Sequence, residues 1–173
     1  YASILYKDDH SSEEAREYYK RAADKGHVEA MHTYASILYK DDHSSEEARE
    51  YFKMAADKGN TSSMFFYAHL LLRGNYKFLA LHYYQLAADK GHIKSMFKLA
   101  ILLFDNDYNM SSQYFNRALK IFKNNGSIDD NYCLDKIYEY AILLVNINKI
   151  RLAVKYFKIG ANNGHVCSMC QYG

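Results

Sequence analysis

Residues Tyr1–Glu17 (YASILYKDDHSSEEARE) recur without change at Tyr34–Glu50, an offset of 33. A chain that repeats at this period is restricted to arrays of one supersecondary unit, in which each copy buries its apolar face on its neighbours. The block Ala22-Ala23-Asp24-Lys25-Gly26 returns at Ala55–Gly59 and Ala87–Gly91, and fades to Gly160-Ala161-Asn162-Asn163-Gly164. A Tyr-Ala or Leu-Ala pair marks the same beat at Ala35, Ala68, Ala100 and Ala141. The step from Ala100 to Ala141 is 41, and its extra residues, around Lys120–Gly126 and Ser127–Asn131, imply a longer second helix or loop there. The repeats fall at about 1–27, 28–60, 61–92, 93–127 and 128–165, with a partial copy at 166–173, all in one domain.

Each unit reads as two helices. Val28, Met31, Tyr34, Ala35 and Leu38 follow three- and four-residue steps and form one face of a first helix, A. A polar turn at Asp41-Asp42-His43 follows, then Ser44-Ser45-Glu46-Glu47, whose spacing predicts a capping box, a Ser hydroxyl for a free amide and a Glu reaching back. Ala48, Tyr51, Phe52, Ala55 and Ala56 form the apolar face of helix B, and Gly59 sits where a left-handed residue ends it. Gly26, Gly91 and Gly164 occupy the same place, and Gly126 serves likewise in the long repeat. Across all 173 residues there is no proline, as uninterrupted helices require. The absence of Trp leaves the core to single rings, drawn from 18 Tyr and 9 Phe, with paired rings at Tyr18-Tyr19, Tyr51-Phe52, Tyr83-Tyr84, Tyr114-Phe115 and Tyr156-Phe157. The residues thus specify an all-α chain.

These motifs resemble the Sel1-like repeats, helical-hairpin relatives of the tetratricopeptide repeat. The resemblance rests on Ala-x-x-Tyr-Tyr/Phe-x-x-Ala-Ala-x-x-Gly at Ala15–Gly26 and Ala48–Gly59, on helix A ending in Leu-Tyr or Leu-Leu, and on His or Asn after the glycine. Degenerate copies lie at Ser111–Gly126 and Ala153–Gly164. The chain departs from the family pattern where Lys40–Ser44 lacks the usual glycine-containing loop, of which Arg73-Gly74-Asn75 is a remnant, and where the family's helix A glycine is Ala. The resemblance implies a right-handed α–α superhelix, a solenoid of about five helix pairs. It further implies a non-catalytic adaptor that presents its concave, helix A face to a protein or peptide.

Variation inside a fixed frame marks the residues free to meet a partner. The varying helix A columns are Glu29, Ser62, Lys94, Asp135; His32, Phe65, Phe97, Tyr138; Thr33, Phe66, Lys98, Glu139; and Ser36, His69, Ile101, Ile142. Phe65, Phe66, His69, Arg73, Phe97 and Lys98 are the candidate contact residues, since aromatics beside cations anchor a partner's apolar and acidic groups. Ordinary inter-helix packing is the competing account of Phe65 and Phe97. Two further functions stay open. One is a structural assembly that self-associates through open repeat ends. The other, which the resemblance implies, is a regulatory segment for a kinase or other domain elsewhere in the protein; the chain begins at Tyr1 inside one helix A and ends inside another, so further repeats are expected on both sides.

Other chemistry is disfavoured. A net charge of +2 supplies no general attraction for nucleic acid. No apolar run reaches the roughly 20 residues of a membrane span. His165-x-Cys167-x-x-Cys170 looks like a metal or redox motif, but a closed zinc site needs four ligands and Cys133 is remote in sequence. His165 repeats the position of His27 and His92, and His10 that of His43, so the histidines follow the repeat instead of marking one catalytic centre. We expect no cofactor, no metal and no enzymatic activity. Three cysteines in clustered, odd number favour a reducing compartment, the cytoplasm. The sequons at Asn60, Asn109 and Asn125 keep the lumen of the endoplasmic reticulum as the alternative.

Overall fold

The computed structural model describes residues 13–125 and 131–172. Outside them lie Tyr1–Lys7, expected to be part of a helix A, the expected first inter-helix loop with His10 and its serines, and Gly126 with the sequon that runs through it. Among the described residues there are ten helices and no strand. They are α1 (Glu13–Asp24), α2 (Val28–Asp41), α3 (Glu46–Asp57), α4 (Thr61–Arg73), α5 (Lys77–Asp89), α6 (Ile93–Leu103), α7 (Tyr108–Asn125), α8 (Asn131–Asn146), α9 (Ile150–Asn162) and α10 (Val166–Tyr172). Even-numbered helices are helix A and odd-numbered ones helix B. The chain divides into two compact units, Tyr1–Lys90 and Gly91–Gly173.

In the first unit each helix packs on the next, α1 on α2 through to α4 on α5. The alanine columns are the reason these helices approach closely. Ala35 and Ala68 on helix A, and Ala48, Ala80 and Ala87 on helix B, are all fully buried. The paired rings of helix B divide their work. Phe52 and Tyr84, the second rings of their pairs, are fully buried in the core, whereas Tyr19 is half-buried. The first of each pair reaches back to the preceding helix B: the Tyr51 hydroxyl donates to Asp24 at 2.5 Å, and that of Tyr83 to Asp57 at 2.8 Å. The repeated Asp of the Ala-Ala-Asp block is therefore a rung in a ladder between successive repeats.

Helix ends follow their residues, with one correction. Gly59 has φ +98°. Its N–H donates to Ala56 O and that of Asn60 to Ala55 O, the paired bonds that close a helix on a left-handed residue. In the turn after α4 the left-handed residue is Asn75, with φ 66°, not Gly74. Of the predicted capping box the serine half forms and the glutamate half does not. Asp42 Oδ1 accepts both the N–H and the hydroxyl of Ser44, so the cap passes to Ser45, whose hydroxyl accepts from Ala48 N at 3.1 Å. Glu47, released from capping, accepts from Lys20 at 2.9 Å and from the Tyr34 hydroxyl at 3.0 Å.

In the second unit α6 packs on α7 and α8, α8 on α9, and α9 on α10. The long step is taken up by α7, which runs for 18 residues against 12 for α3. Its core is an aromatic stack: Phe115 lies on Tyr140 with centroids 3.8 Å apart and against Phe97 at 5.4 Å. Ser111 replaces the alanine of the column and stays fully buried because its hydroxyl donates to Ala100 O at 2.7 Å.

Candidate interaction surface

The helix A faces of the two units carry the candidate residues, four in the first and two in the second. Phe65 is 8% exposed, edge-on to Tyr84, and belongs to the core. Phe97 is 0% exposed and is likewise core. For these two, packing is the role the structure gives. Helix A lies between the helix B before it and its own helix B, so its buried band is wider than a one-sided amphipathic stripe and takes in Ser63, Met64, Phe65, Tyr67, Ala68, Leu70 and Leu71 on α4.

Phe66 and His69 are half-buried and Arg73 is exposed. One face of the Phe66 ring stacks on Phe52 at 5.1 Å, with planes 11° apart, and its edges meet His32 and Tyr39 near 6 Å. It is held rigidly by an aromatic cluster. Arg73 donates to His43 O at 3.0 Å, which ties the end of α4 to the loop before α3.

In the second unit Lys98 is half-buried on α6. Burial holds its ammonium below the usual lysine range, Lys136 adds to the effect and Glu139 opposes it. Lys136 forms an ion pair with Glu139. Lys94 and Lys136 each lie 5.5 Å from the centre of the Tyr132 ring. Lys136 escaped the sequence reading because it aligns with the buried Ser63 and Ser95 of the earlier copies, a column that gave no sign of a cation.

The motif at His165 resolves into a helix cap. His165 Nδ1 lies 2.7 Å from Ser168 Oγ and accepts from Ser168 N at 3.3 Å, while Nε2 lies 3.0 Å from Asp135 Oδ1. The Ser-His-Asp sequence of contacts resembles a hydrolase triad, but Ser168 is fully buried and no substrate can reach its oxygen. His92 and Ser95 repeat the same cap on α6. Cys167 and Cys170 are exposed, Cys133 is buried, and all three are free thiols. Among the described residues no group of three or more His, Cys, Asp or Glu could hold a metal ion. Nor is any described helix long and apolar enough to cross a membrane.

The family model described as Sel1 repeat matches residues 8–27, 29–60, 61–92 and 137–165. The unmatched 93–136 contains the long-step repeat, whose described residues nonetheless form α6 and α7, and the start of α8. No curated protein sequence matches the chain. A protective antigen present in uropathogenic Escherichia coli strains, displaying an SLR fold, is similar with a TM-score of 0.74 at 16% identity. That likeness covers 91% of this chain and 35% of the antigen's, so the chain spans about a third of its length. A Sel1 repeat protein from Oxalobacter formigenes is similar with a TM-score of 0.73 at 21% identity, over 97% of this chain and 73% of that one. At these identities the likeness establishes the fold, a helical-repeat solenoid.

Proposed function

Because the chain belongs to the Sel1 repeat family, we propose that it is a non-catalytic scaffold that binds a protein or peptide partner on its helix A faces. The observation that carries this reading is the contrast between columns on one helix. Ala35, Ala68, Ala100 and Ala141 are all fully buried. The neighbouring column holds Thr33, Phe66, Lys98 and Glu139, different in every copy and each with accessible surface. A surface fixed by packing loses little conformational entropy on binding. Phe66, His69 and Arg73 in the first unit and Lys98 in the second are the contact residues of this reading. Phe65 and Phe97 act beneath them as core.

The cytoplasm remains the favoured compartment. The Asn60 amide that a glycan would use donates to Glu29 at 3.1 Å, while its oxygen caps α4 by accepting from Ser63 N at 2.7 Å. A sugar on that nitrogen would disrupt the bond to Glu29. The test of the scaffold reading is affinity capture with the wild-type chain and with Phe66→Ala, Lys98→Ala and the pair, each first checked for native helicity. The reading expects a heterologous protein whose recovery falls in the single variants and further in the double one. Recovery unchanged in all three overturns the residue assignment.

A further inference from the structure

Helix α5 opens unlike α1 and α3, the two helices B before it. In α3 the cap is Ser45 and the first turn is Glu46-Glu47, and α1 likewise begins Glu13-Glu14. These are the favoured residues at a helix N-terminus, where an oxygen meets the free amides and a carboxylate the positive end of the dipole. The same repeat positions in α5 hold Lys77-Phe78-Leu79; its N-cap, Tyr76, makes no side-chain cap bond, and its first turn has no acid. Phe78 is 90% exposed, Tyr76 58% and Leu79 43%. An apolar cluster has replaced a polar helix start, at the expense of the helix, and nothing in the core gains from it.

Beside this cluster lies an open cleft of about 260 Å³. Its floor is Tyr67 and Leu71 of α4, both buried, and one wall is Tyr76 and Leu79. The cleft falls below the roughly 300–1,000 Å³ typical of small-molecule pockets, a size that suits a side chain better than a metabolite. Its rim is Arg49, Glu50 and Lys53 of α3, which carry both signs of charge.

We propose that this face of the first unit docks a second copy of the chain, with Phe78 of each copy seated in the cleft of the other. A projecting aromatic and a recess for one stand side by side on the same surface, which makes the surface complementary to itself under a twofold axis. The surface uses α3, α4 and the start of α5, and Phe66, His69 and Arg73 are not among the residues that line its cleft.

Sedimentation velocity on the full chain across roughly 1 µM to 1 mM, the range of weak specific contacts, tests this. The wild type should pass from monomer to dimer and no further. Phe78→Glu removes the projecting ring and restores the acidic first turn, and Leu79→Arg obstructs the recess. Each should weaken dimerisation by at least about tenfold, as expected for a central anchor, with helicity by circular dichroism unchanged. A wild type that stays monomeric overturns the proposal. So does association that persists in both variants, or that grows past the dimer, the behaviour of contacts through the repeat ends.

Discussion

The second ring of each helix B pair shows what one atom costs. The column holds Tyr19, Phe52, Tyr84, Phe115 and Phe157, and of its two tyrosines Tyr84 is the fully buried one. That side chain is fully buried and its hydroxyl has no hydrogen-bond partner. Burial holds the phenol well above its ordinary range of ionisation, as an oxygen cut off from water requires. An unsatisfied buried hydroxyl costs about 1–3 kcal/mol. Tyr84→Phe should therefore stabilise the first unit by about that amount, read as a higher urea midpoint with unchanged slope. A lower midpoint would mean that the hydroxyl has a partner. The residue scale is also where sequence reading failed most. Phe65 and Phe97 stand in a column that varies, as a binding column should, yet both are core, because variation among Phe, His and Tyr is also what repacking around unequal neighbours produces. Ser45 and not Ser44 is the cap for a still more local reason: Asp42, two residues before Ser44, competes for the same backbone and wins.

Elements are joined by contacts that the repeat copies and single-helix patterns cannot show. The Tyr51–Asp24 and Tyr83–Asp57 bonds tie each helix B of the first unit to the preceding one. Burial, then the hydrogen bond to aspartate, pushes both tyrosines up to about 12 from 10.0. A group whose folded value is raised contributes stability that is complete below the unfolded value and is lost as pH rises through the folded one. The first unit should thus lose stability between about pH 10 and 12, and a Tyr51→Phe/Tyr83→Phe variant should show a shallower loss in its melting temperature over that window. A loss equally steep in the variant would place the ladder's contribution elsewhere. On α9, Gly160 stands where other copies have alanine. A Cβ there would overlap Ser168, the buried partner of His165. Although alanine favours a helix by up to about 1 kcal/mol, Gly160→Ala should destabilise by about 1–3 kcal/mol through overpacking. An increase in melting temperature would show that α10 moves aside freely. None of this was legible in the alignment of copies, where Gly160 reads as decay of the Ala-Ala block instead of a fit to the serine of the next helix.

The repeat period, the alanine columns and the glycines that end helix B suffice for the all-α helical-repeat fold, because they are set by contacts that recur in every copy. Surfaces are set by what lies outside the chain and are legible only as departures from the frame. The Lys77-Phe78-Leu79 departure is visible in the sequence, but its meaning required the exposure of Phe78 and the cleft beside it. The lysines around Tyr132 needed the structure to bring α6 and α8 together across the long step. Near-neutral net charge leaves recognition to such local features instead of a global field. The most direct test of the account is hydrogen–deuterium exchange on the chain with and without its captured partner, read peptide by peptide. The account predicts added protection on α2, α4, α6 or α8, with α3, α5, α7 and α9 unchanged by the partner. Protection confined to the helix B set would contradict it.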